Sequence, residues 1–206
     1  SRTQTNYASN VAPVVMITNP TDNTWLTNSP YLYGGWASNA FGNYWVRVST
    51  NGTTWTLLPG PYTSAGTNWA NWITLADNPT NIVWAVGSND QGRMATNVQT
   101  TYVDLDPPVL AITNPAPLTT LAGTYTYRGT NWDDFAPITG LWWRTNGGAW
   151  FAVSGSSNTW AVDINTTLLT NGPLRFEVMS SNAAGWVVSR TQTNYASNVA
   201  PVVMIT

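Results

Sequence analysis

Ile82 to Gly92 reads IVWAVGSNDQG, and Leu174 to Gly185 reads LRFEVMSSNAAG. Each stretch alternates, then breaks at a polar turn containing Gly. A Thr-rich run follows in both, MATNVQTTYV from Met94 and WVVSRTQTNY from Trp186. Two runs of period two around such a turn predict an antiparallel strand pair. Outward from this pair the same features recur in the same order. VVMI at Val14 to Ile17 and VLAI at Val109 to Ile112 each lead into an Asn-Pro turn. Tyr31 and Tyr33 share a strand face, as do Tyr125 and Tyr127, and Gly35 and Gly129 are expected to close those strands. STNG at Ser49 to Gly52 and TNGG at Thr145 to Gly148 are hairpin signals, with Trp55 or Trp150 opening the partner strand. NWITL at Asn71 to Leu75 is matched with TWAVDI at Thr159 to Ile164. About seven short strands per unit, with turns every ~8 to ~12 residues and no helical period, predict an all-β chain of two antiparallel sandwiches.

Repetition sets the domain organisation. SRTQTNYASNVAPVVMIT occupies Ser1 to Thr18 and recurs letter for letter at Ser189 to Thr206, a period of 188 residues. Inside it lies a degenerate repeat: APVVMITNP at Ala12 matches PPVLAITNP at Pro107, and Tyr7, Tyr102 and Tyr195 hold equivalent places. Units of this size are whole domains rather than solenoid turns. The expected division is residues 1–10 as the last strand of a preceding repeat, 12–104 and 107–198 as two domains, and 199–206 as the first strand of a following repeat.

Composition removes several classes of function. The 206 residues hold no His, no Cys and no Lys. Imidazole bases, thiolate nucleophiles, Schiff-base lysines and soft metal ligands are therefore excluded. Seven Arg against nine acidic residues, with no basic run, argue against nucleic acid as a partner. No apolar stretch reaches the ~18 residues of a membrane span, so no direct membrane insertion is expected, nor is a signal peptide. Charged residues are 8% of the chain, against roughly 25% in ordinary globular proteins. With 32 Thr and 23 Asn, the surface is expected to be hydroxyl and amide.

PPVLAITNP, the TNGG hairpin with Trp after it, and the turns Asn89-Asp90-Gln91-Gly92 and Asn182-Ala183-Ala184-Gly185 resemble the bacterial immunoglobulin-like domains found in tandem in surface proteins and adhesins. The resemblance covers nearly the whole chain, once per unit. It implies immunoglobulin-like sandwiches in a stalk, spacer or adhesion module, extracellular, at the cell surface or in a secreted fibre, without catalysis or cofactor. The implied partners are neighbouring repeats, or head-to-tail copies joined through the terminal strands.

Thirteen Trp exceed what two sandwich cores hold. Trp55 with Trp150, and Trp72 with Trp160, are read as equivalent packed positions. In YWVRVS, Tyr44, Val46 and Val48 share one face while Trp45 and Arg47 share the other; in LWWRT, Leu141 and Trp143 face in while Trp142 and Arg144 face out. Trp45, Arg47, Trp142 and Arg144 are therefore the candidate binding residues. Their guanidinium groups are placed to lie over indoles, and the pair reads as a surface ladder or a contact to a neighbouring unit or fibre, as a glycan-stacking platform, or as incidental exposure. Asp104 and Asp106, between the two units, are the candidate calcium ligands, set against a reading as solvated turn residues. Asp133 and Asp134 are adjacent and Glu177 is the only Glu, which makes a poor pair for glycoside hydrolysis. Ala12-Pro13 and Pro107-Pro108 stiffen the linkers, and each sandwich should measure ~35 to ~45 Å along its strands.

Overall fold

The computed structural model describes residues 11–63, 65–154 and 158–199. It divides into two units, Ser1–Leu105 and Asp106–Thr206. The terminal strands expected at 1–10 and beyond Val199 lie outside the described residues. In the first unit the strands are Val14–Asn19 (β1), Thr24–Leu26 (β2), Tyr31–Ser38 (β3), Tyr44–Ser49 (β4), Thr56–Leu57 (β5), Thr67–Ile73 (β6), Asn78–Asn89 (β7) and Met94–Val103 (β8). The second unit repeats them as Val109–Asn114 (β9), Thr120–Leu121 (β10), Thr124–Trp132 (β11), Ile138–Thr145 (β12), Phe151–Ala152 (β13), Thr159–Asn165 (β14), Gly172–Asn182 (β15) and Val187–Ala196 (β16).

Each unit pairs a three-stranded sheet with a five-stranded one. The orders are β1-β3-β6 with β2-β8-β7-β4-β5, and β9-β11-β14 with β10-β16-β15-β12-β13. There are eight strands per unit rather than about seven because the first is divided. Pro20 and Pro115 have no N–H to continue the ladder with β3 or β11. The chain crosses there to the other sheet, where β2 runs parallel to β8 and β10 parallel to β16. The Pro20 and Pro115 carbonyls accept from the buried amides of Gln99 and Gln192.

Alternation along the strands builds the cores. Tyr33, Tyr44, Val46, Val83 and Val103 are fully buried in the first unit, and Tyr127, Phe176 and Val178 in the second. The large ring changes strand between them. Register puts Phe176, opposite Gln192, where the first unit has Val83, opposite Gln99, and Leu141 where it has Val46. Beside the buried Tyr33 and Tyr127, the first unit buries Tyr44 of β4 and the second buries Phe176 of β15. Phe176 stacks on Tyr127 with ring centroids 4.2 Å apart.

Three expectations are corrected. Gly35 and Gly129 do not close their strands; both sit in mid-strand. An added Cβ would lie 2.0 Å from the Met16 or Ala111 carbonyl oxygen and 2.3 or 2.2 Å from the Trp69 or Trp160 ring. Trp69, opposite Gly35, is therefore the equivalent of Trp160, opposite Gly129, and Trp72 is 63% exposed. Residues 69 and 72 have opposite parity on β6, so only one of the two indoles reaches the core. The amides and hydroxyls are not confined to the surface either. Asn194 and Thr101 are wholly buried, bonded to the Tyr127 hydroxyl at 2.9 Å and the Tyr33 hydroxyl at 2.6 Å. They supply polar partners inside the sandwich, where an unbonded group would be costly.

The turns follow their chemistry. Asn146 and Gly147 both have positive φ and Gly148 donates to the Thr145 carbonyl at 2.9 Å, a primed turn that opens the five-residue loop between β12 and β13. In the first unit Asn51 instead accepts from the amides of Thr53 and Thr54, folding a loop of the same span differently before β5. Asn89 and Asn182 lie buried under the long hairpins and accept from the amides of Arg93 at 2.9 Å and Trp186 at 3.0 Å.

Candidate functional site

The outer face of each five-stranded sheet carries the four candidate residues. Trp45 and Arg47 on β4, and Trp142 and Arg144 on β12, are all half-buried. The guanidinium groups do not lie over these two indoles. Arg47 lies over Trp55, 5.5 Å from the ring centroid, and Arg144 lies over Trp150 at 4.4 Å. The cation reaches across to the residue leading into β5 or β13, so Trp55 and Trp150 serve as stacking partners. Trp142 folds down on its own strand: a Cβ at Gly140 would fall 1.8 Å from its ring. Trp45 rests beside Gly60. Neither indole is presented as a free platform.

The two faces differ in charge. Register brings Arg144 opposite Glu177, and β15 places Arg175 on the same side. Glu177 accepts from Arg144 Nε at 2.7 Å and from its second nitrogen at 3.1 Å, and pairs with Arg175 at 2.8 Å. The Arg144 bond, together with the charges of both arginines, holds the Glu177 carboxyl below its ordinary value against the opposing effect of burial. A carboxylate bound this way is a structural anion, with no free oxygen to act as acid or base. In the first unit the matching positions are Trp84 and Ile82. There Arg47 has a buried Nε without a hydrogen bond and donates to the Met94 sulfur at 3.2 Å. Glu177 had an undecided face in the sequence because the pairing of β12 with β15 is non-local.

Asp104, the last acidic residue of the first unit, is fully buried, while Asp106, at the start of the second, is exposed. Asp133 is a loop clamp: Oδ1 accepts from the amides of Phe135 and Ala136, and Oδ2 accepts from the Asn182 side chain at 2.9 Å.

A second feature lies at the edge of the first unit. Trp72 on β6 and the loop after β4 border an open cleft of about 290 Å³ lined by hydroxyl and amide side chains together with Val48 and Ile73. The sequence reading missed it because Trp72 was assigned to the core.

No protein-family model matches the chain, and no curated protein does. Among solved structures, the fibronectin(III)-like modules of Clostridium thermocellum CbhA are similar over 90% of this chain and 95% of theirs, at 13% identity and a TM-score of 0.46. Murine CEACAM1b is similar over 90% and 100%, at 15% identity and 0.45. A tetra-tandem repeat in the extending region of a large adhesion protein is similar over 90% and 49%, at 14% identity and 0.39. The fold assignment rests on the strand order and register above, not on these likenesses.

Proposed function

We propose that this chain is a non-catalytic, extracellular segment of a stalk or filament, built from immunoglobulin-like sandwiches in tandem. The observation that carries this reading is the eighteen-residue segment present at both 1–18 and 189–206. Its first eight letters, at Ser189 to Ala196, lie within β16, the closing strand of the second unit. Its last five, at Val14 to Thr18, lie within β1, the opening strand of the first. The segment is therefore a junction in which one sandwich ends and the next begins. A junction that recurs every 188 residues describes an array that grows by pairs of sandwiches. The two faces bearing Trp45 with Arg47 and Trp142 with Arg144 act in this reading as structural ladders, each arginine held by an indole of its own unit. The terminal strands join neighbouring repeats or successive copies.

Light scattering across concentration tests the joining strands, comparing the chain with one lacking residues 1–10 and 199–206. Concentration-dependent head-to-tail assembly should be present in the first and lost in the second. A monomer in both cases would remove strand-mediated assembly.

A further inference from the structure

The outer face of the three-stranded sheet in the first unit carries no charge among its described residues. Val14, Met16, Leu32, Trp36 and Trp72 project from it, between 37% and 63% exposed. Trp72 is the most exposed of the tryptophans and stands at the mouth of the cleft. The cleft's other walls include Thr50, Asn51, Thr54, Thr56 and Thr74. Asn51 Oδ1 is occupied by the backbone amides of its loop, which leaves its side-chain donor available. Among the described residues the four threonine hydroxyls have no partner within the protein.

We propose that this cleft binds an uncharged oligosaccharide, with one sugar ring laid on the Trp72 indole and its hydroxyls bonded to the threonines and Asn51. A pyranose has an apolar C–H face that suits the electron-rich face of an indole, and a rim of hydroxyls that both donate and accept. A phosphate or carboxylate ligand would find no cation in the cleft. A second protein surface fits less well. Covering the cleft with protein would bury unpaired hydroxyls.

The second unit is an internal control for this site. Trp69 and Trp160 are equivalent, so three residues further on Asp163 stands where Trp72 stands. Asp163 is bonded to Thr126, and the loop after β12 turns through Asn146 and Gly147 at positive φ rather than around a side chain like that of Asn51. The site belongs to one unit of each pair. It also extends. Leu32 pairs with Trp72, and Trp36 lies four residues along β3 on the same face, about 13 Å away by strand rise. The Trp36 ring is folded over Gly66, where a Cβ would come within 2.5 Å of it. Two indoles at that separation outspan one sugar ring, which favours a chain over a monosaccharide.

The probes are the hexaoses of β-1,4-linked glucose, mannose and xylose, with a polyglucuronate as charged control, titrated calorimetrically into the 206-residue chain. At least one neutral hexaose should bind saturably. Binding should weaken about tenfold to a hundredfold in Trp72→Ala and stay unchanged in Trp132→Ala, which removes an exposed indole of the second unit. Unaltered thermal unfolding of Trp72→Ala confirms that the fold is retained. Absence of binding by all three hexaoses overturns the proposal, as does binding that survives Trp72→Ala or a preference for the polyglucuronate. A dimer lost in Trp72→Ala, with no hexaose bound, would reassign the face to contact between copies. The stalk reading stands or falls separately, on the trimmed termini.

Discussion

Gly129 has no room for a side chain, because the Trp160 ring and the Ala111 carbonyl already occupy the place of a Cβ. Gly129→Ala is expected to cost about 3 kcal/mol, measured by denaturant unfolding, since backbone and indole would both have to shift. Asn194 is a second such point. It accepts from Tyr127 and Gln192 and donates to the Ala116 carbonyl at 2.9 Å. Asn194→Ala should lose about 2 kcal/mol by stranding buried partners. Burial raises the Tyr127 and Tyr33 hydroxyls above their ordinary value, so both stay protonated past the ordinary tyrosine range. At this scale parity was readable: Tyr44, Val46 and Val48 face inward as alternation requires. What parity could not decide was which of Trp69 and Trp72 enters the core, because that choice is made by the glycine on the facing strand.

Pairs of strands distant in sequence set the electrostatics. The β12–β15 pairing joins Arg144 to Glu177, and no turn signal links residues so far apart. The hairpins β7–β8 and β15–β16 were readable because the turn and both runs are contiguous. Glu177 titrates below its ordinary value when folded, so its contribution is complete above the unfolded pKa and is lost as pH falls through the folded one. Unfolding of the second unit, followed from about pH 6 to about pH 2, should show acid destabilisation that is flatter in Glu177→Gln. An unchanged slope in that variant would mean that other carboxylates carry the effect. The first unit, with Trp84 at the matching position, should lack this component.

Across the whole chain, the 188-residue period gives a direct expectation. Chains of one, two and three periods should increase in maximum dimension by equal steps in small-angle scattering, and a dimension that levels off would contradict an extended array. Repetition of this kind is visible in letters alone, whereas the division of the first strand between two sheets is not. That division depends on where Pro20 and Pro115 interrupt a ladder whose partner strand lies elsewhere in the sequence. It also governs how each unit bears load. β2 runs parallel to β8 and β10 parallel to β16, tying the opening of each sandwich to its closing strand. A tension applied along the strands through the two ends of a unit meets these bonds side by side and loads them in shear. They must then break together rather than peel one after another, so a strap of two or three residues at each entrance can act as the mechanical latch of its sandwich.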